Sequence, residues 1–127
     1  MRNDNPKYKD NLIVNLTFEF SIDIVEFCEM LEEKRKYSIA RQLLKSGTSI
    51  GANVREAQNA ESKNDFIHKI KIAAKEADET MYWLLICERA KNYENPDKLF
   101  DKLESINKVL NSIISTSKNI NKISSTN

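Results

Sequence analysis

One histidine, His68, and two cysteines, Cys28 and Cys87, bound the chemistry this chain can perform. A di-iron bundle needs two Glu-x-x-His motifs on facing helices. Here Asp65-x-x-His68 stands alone. A structural zinc site needs four His or Cys ligands. Cys28 and Cys87 form no CxxC pair, and two cysteines in a chain of 127 residues are no disulfide framework. A Ser or Cys nucleophile needs an activating base. His68 would serve amid Lys69, Lys71 and Lys75, and nothing in the sequence marks a nucleophile beside it. Glu56, Glu61, Glu76 and Glu79 are the carboxylates that could pair for acid–base work. Glu76 and Glu79 lie within helical reach of the lysine-bearing turns and read better as solvated ion pairs. His68 reads as a surface or interface residue. The expectation is a non-catalytic protein with no metal and no cofactor.

Phosphate recognition is the remaining chemistry. Charge is unevenly placed around a formal net of +1. Residues 1–33 carry −5, residues 34–75 carry +7 and residues 76–127 carry −1. The near-neutral total argues against a strongly nucleic-acid-binding protein, while the central block keeps that reading open. Arg41, Lys45, Arg55, Lys63, Lys71 and Lys75 are its phosphate-binding candidates. Stacking aromatics often accompany single-strand binding, and Tyr37 is the nearby aromatic that suggests it. Both glycines, Gly47 and Gly51, fall in the same block. Their spacing is neither GxGxxG nor GxxxxGK[ST], so close helix packing is a better reading than a phosphate cradle.

The elements that must carry these residues are helical. Two Gly and two Pro are too few for the turns of an all-β chain. In helix 1, about 12–33, Leu16, Phe20, Ile24, Phe27 and Leu31 recur at steps of three and four. Phe18, Ile22 and Val25 form a second row. Helix 2, about 38–60, has Ser38 as its expected cap. Its stripe is Ile39, Leu43, Ser46, Ile50, Val54 and Ala57. Each glycine costs about 1 kcal/mol in a helix relative to Ala. The apolar phase nevertheless runs unbroken from Leu43 to Val54, so helix 2 is predicted to continue through both. Gly47 and Gly51 then share a smooth face with Ala40. Helix 3, about 62–91, starts at the box-like Ser62–Asp65. It is lined by Ile67, Ile70, Ala74, Ala77, Met81 and Leu84. Pro96 suits the first position of helix 4, about 96–122. There Leu99, Leu103, Ile106, Leu110, Ile113, Ser117 and Ile120 form a heptad-type seam.

Residues 1–10 and 124–127 read as loose tails of one 127-residue domain. Short turns between long helices make neighbours antiparallel, which predicts an all-α, up-down-up-down four-helix bundle. No leader and no run of about 18 apolar residues are present, so the expected location is cytoplasmic, away from membranes.

The stretch Arg41-Gln42-Leu43-Leu44-Lys45-Ser46-Gly47-Thr48-Ser49-Ile50-Gly51-Ala52-Asn53-Val54-Arg55-Glu56-Ala57 resembles the signature of the proteins encoded in 23S rRNA intervening sequences. The likeness continues through Ser62–Lys69, Ala73, Lys75–Ala77, Glu79-Thr80 and Tyr82–Leu84, and covers roughly residues 15–115. It implies an antiparallel four-helix bundle assembled as a ring-like homopentamer, and it implies no reaction. The accessory variability determinant of diversity-generating retroelements is similar in fold. It binds nucleic acid and a reverse transcriptase through a strongly basic surface, from which this near-neutral chain departs.

Asn53, Arg55 and Glu56 are the polar residues least explained by a plain bundle surface. Tyr82 and Trp83 are adjacent and point to different sides of helix 3, so one core cannot take both. With Ile86 they mark a second apolar surface of the kind that meets a partner. Gly47, Gly51, Asn53, Glu56, Tyr82 and Trp83 are therefore the packing and interface candidates. Two readings follow. The favoured one is a self-assembling structural or adaptor protein that acts through a partner. The second is an accessory protein that binds RNA or DNA, or a nucleic-acid enzyme, through helices 2 and 3. An enzyme is the least supported class.

Overall fold

The computed structural model describes residues 8–125, with side chains described as far as Lys118. Four helices follow in order: α1 Leu12–Glu33, α2 Tyr37–Ala57, α3 Lys63–Arg89 and α4 Asp97–Ser125. Each packs on its chain neighbours and α4 closes back onto α1, while no Cα of α1 comes within 8 Å of α3, nor α2 of α4. The helices thus form an all-α four-helix bundle with α1 and α3 on one diagonal. The outer faces of α1 and α3 accordingly point away from each other.

Local chemistry sets the helix ends. Asn11 caps α1 by accepting from Val14 N at 3.2 Å. At the other end Lys36 N donates to Leu31 O at 2.8 Å and Arg35 N to Glu32 O at 2.9 Å. That pair of bonds is a Schellman closure. It puts Arg35 at φ 63°, where glycine is the usual occupant. The chain re-enters helix at once, so Tyr37 is already helical and Ser38 lies inside the first turn. Lys36 is the N-cap residue and supplies no side-chain cap, which corrects the cap expected at Ser38.

α2 runs unbroken through Gly47 and Gly51. It stops at Ala57 rather than Ala60, because Gln58, Asn59 and Ala60 switch to bonds that reach back three residues. Ser62 Oγ accepts from Asp65 N at 3.0 Å, and the Asp65 carboxylate reaches back to Glu61 N at 3.4 Å. Pro96 O accepts from Phe100 N at 3.1 Å, so Pro96 precedes α4 instead of opening it.

The core is built from Phe20, Ile24 and Leu31 of α1, Leu43, Ile50 and Val54 of α2, Ile70 and Leu84 of α3, and Leu103, Ile106 and Leu110 of α4, all fully buried. Leu16, Phe27, Ile39 and Met81 pack at its margin. The side chain of Ile120, assigned to the α4 seam by its spacing, lies outside the described residues. Buried hydroxyls are satisfied locally. Thr17 Oγ1 donates to Ile13 O at 2.8 Å, and Thr80 Oγ1 meets Ser46 Oγ at 3.0 Å across α2 and α3.

Of the expected loose N-terminal tail, residues 1–7 lie outside the described residues, Lys9 and Asp10 are exposed, and Tyr8 packs on the bundle. Tyr8 is 6% exposed and belongs to the core. Asn59 Nδ2 donates to its hydroxyl at 3.4 Å, Asn15 Nδ2 to its carbonyl at 3.4 Å, and Asn11 Nδ2 ties the same corner to Gln58 at 3.0 Å.

Candidate interaction surfaces

Small residues on α2 let α1 approach closely. A Cβ on Gly47 would lie 2.8–2.9 Å from the Ile24 side chain, and one on Gly51 would lie 3.2 Å from Thr17 O. Ala40, on the same helix, is fully buried. The glycine face is therefore packed against α1 of the same chain.

The three unexplained polar residues of α2 also find partners within the chain. Asn53 Nδ2 donates to Ser49 O at 2.8 Å, and Glu56 pairs with Lys69 at 3.0 Å. The Arg55 guanidinium lies 4.7 Å over the Tyr8 ring. Sequence reading missed this arrangement, because Tyr8 is a lone aromatic in a polar segment with no periodicity.

Arg41 and Lys45 are exposed on successive turns of α2, Lys71 and Lys75 on successive turns of α3, and Lys63 begins α3. Arg55 is half-buried against Tyr8. Carboxylates interleave with this set. Burial and the neighbouring Glu79 charge push the Glu76 carboxyl above its usual range, and Lys45 offsets part of that shift.

His68 is exposed. Cys28 and Cys87 are both buried free thiols. They sit on α1 and α3, whose Cα atoms stay more than 8 Å apart, beyond the reach of a disulfide. Burial pushes Cys28 up to about 12, with the Cys87 and Glu32 charges adding, and burial pushes Cys87 up to about 11. Neither thiol is a ready nucleophile, since the thiolate is the reactive form. No group of three or more His, Cys, Asp or Glu poised to hold a metal occurs among the described residues. None of the described helices is long and apolar enough to cross a membrane.

Large apolar side chains are exposed as well. On α3, Tyr82 is 57% and Leu85 42% exposed. With Ile86, Arg89 and Ala90 they line a shallow groove of about 510 Å³. Trp83 is the half-buried member of the aromatic pair. Its ring meets Tyr82 edge-on at 5.1 Å, and its Nε1 is buried without a partner. The stripe therefore runs Tyr82, Leu85, Ile86, Arg89, at helical steps of three, one and three, and is not led by Trp83. Leu85 and Arg89 escaped notice because the adjacent Leu84 claims the core face. On α1, Ile22 and Val25 are 37% and 38% exposed. They line a second groove, of about 410 Å³, with Ser21, Glu26 and Glu29.

The family model for the 23S rRNA-intervening sequence protein matches residues 9–112. The chain belongs to this family. Among solved structures, a protein of unknown function from the S23 ribosomal protein family of Bacteroides thetaiotaomicron VPI-5482 is similar at 41% identity. The match covers 80% of this chain and 97% of that one, with a TM-score of 0.77. No curated protein sequence matches. The matched span of the intervening-sequence family takes in the glycine seam, the Tyr82–Arg89 stripe and the α1 stripe, and its upper bound falls within α4.

Proposed function

We propose that this intervening-sequence family protein is a non-catalytic, cytoplasmic scaffold or adaptor that assembles with copies of itself and acts through a partner. The observation that carries the reading is the pair of uncovered apolar stripes on diagonal helices, Ile22–Val25 on α1 and Tyr82–Ile86 on α3. A large apolar side chain left wet forgoes about 1.5–3 kcal/mol of burial. Surfaces of this kind, rimmed by charge, are where soluble proteins meet partners. Stripes on opposite sides suit a head-to-tail contact, which closes into a ring when the rotation allows. The number five comes from the family resemblance alone. The buried, high-pKa thiols and the exposed lone histidine support a non-catalytic role. Sedimentation velocity of the full chain tests the reading: a species heavier than one chain at micromolar concentration is expected, and a sole boundary at one chain's mass overturns it.

The second reading, nucleic-acid binding, is favoured by one observation. Arg41, Lys45, Lys71 and Lys75 remain exposed on the outer rows of α2 and α3. Binding through them falls steeply with salt as counterions are released. Filter binding of RNA or single-stranded DNA across a salt series, with Arg41→Glu/Lys45→Glu as control, decides it. No retention at low salt removes this reading.

A further inference from the structure

The self-assembly proposed above requires that each uncovered stripe find a partner, and their rims show which partner fits. α1 carries six carboxylates, Glu19, Asp23, Glu26, Glu29, Glu32 and Glu33, and no Lys or Arg. Glu26 and Glu29 stand at the edge of the groove floored by Ile22 and Val25. The α3 groove is floored by Tyr82, Leu85 and Ile86 and bounded by Arg89. Among the described residues, neither Glu26, Glu29 nor Arg89 makes an ion pair within the chain. Among the lining residues, each groove thus joins an apolar floor to charge of one sign, and the two signs are opposite.

We propose that the Tyr82–Arg89 stripe of one copy docks on the α1 groove of a second copy, with Arg89 set against the partner's Glu26 and the partner's Glu29. This assignment rests on the self-assembly reading and adds to it the surfaces and the ionic contact. A two-fold dimer through α1 would set a helix with six carboxylates and no Lys or Arg against itself. Like charges brought together across an interface cost several kcal/mol. The head-to-tail contact avoids this clash. Because the two stripes lie on diagonal helices, every such contact leaves one stripe open at each end of the assembly until the chain of contacts closes. The outer row of α2, with Arg41 and Lys45, stays outside the contact.

Charge exchange in the full chain tests the pairing. Arg89→Glu and the double variant Glu26→Lys/Glu29→Lys each place like charges in the contact, and each is expected to weaken assembly on the order of tenfold. The triple variant, with all three reversed in one chain, restores opposite signs and is expected to regain wild-type assembly. All sites are exposed, and circular dichroism verifies the helices of each variant. If wild type assembles and both reversals assemble equally well, this pairing is overturned while self-assembly stands. If both reversals weaken assembly and the triple variant fails to regain it, the pairing is likewise overturned. If wild type is a single chain in solution, self-assembly itself falls, and this assignment with it.

Discussion

The glycine seam between α1 and α2 and the outer stripe of α3 are built from opposite kinds of residue. The seam uses the smallest side chains in the chain, at a place where another helix sits within about 3 Å of a hypothetical Cβ. The stripe uses large apolar side chains that stay about half exposed among the described residues. The seam contains the most distinctive motif of the sequence, yet its atoms are occupied in holding the bundle together. The stripe shares only Tyr82 with the residues that carry the family likeness, and it holds exposed apolar surface. Distinctiveness in sequence here marks a packing constraint, and the surface available for interaction must be found from exposure.

Substitutions should separate the two regions by size and kind of effect. The largest is expected at the seam. Gly51→Leu would drive a side chain into the Thr17 backbone and the Ser21 hydroxyl, which have little room to give. Overpacking of this kind typically costs about 1–3 kcal/mol and sometimes more, measurable by urea denaturation. An unshifted midpoint would break the contrast. At Gly47 the obstacle is the Ile24 side chain, which is flexible in principle but fully buried. Gly47→Val should therefore destabilise, and Ile24→Ala in the same chain should recover part of the loss, giving a coupling energy on the order of 1 kcal/mol in a double-mutant cycle.

The stripe should respond differently. Leu85→Ser removes an exposed side chain, so the stability of the single chain should change by no more than about 0.5 kcal/mol. Its effect should appear in assembly. A folding loss as large as that at Gly51 would mean that Leu85 belongs to the core and the two regions do not differ in kind.

The continuity of α2 was legible because the Leu43–Val54 apolar phase outweighs the low propensity of two glycines. Which helix fills the glycine face was not. A smooth face has the same pattern whether its neighbour lies in the same chain or in another. Ser38 looked like a cap because Ser is a good one, but the left-handed Arg35 closes α1 so tightly that α2 has begun by Tyr37. Arg55 and Glu56 looked functional because their partners, Tyr8 and Lys69, become neighbours only through the fold. The stripe was half legible. Tyr82 and Ile86 stood out, whereas Leu85 and Arg89 needed the helix phase that the core fixes.

The interior thiols give a smaller, independent check on the packed side of the contrast. Both have pKa values raised above that of the unfolded chain, so their contribution to stability is fully present below about pH 8.5. It is lost as pH rises toward about 11 for Cys87 and about 12 for Cys28. Alkaline stability should fall over that window, less steeply in Cys28→Ala. At neutral pH a thiol reagent should react only as the chain unfolds. Rapid native-state labelling would show that the interior opens easily.

The central claim is that the outer stripes are covered by other copies of the chain. Light scattering coupled to size exclusion measures this most directly, on the full chain at micromolar concentration. A closed assembly with a mass near five times 14.7 kDa is the expected result. A mass of one chain contradicts assembly, and a dimer contradicts the head-to-tail ring.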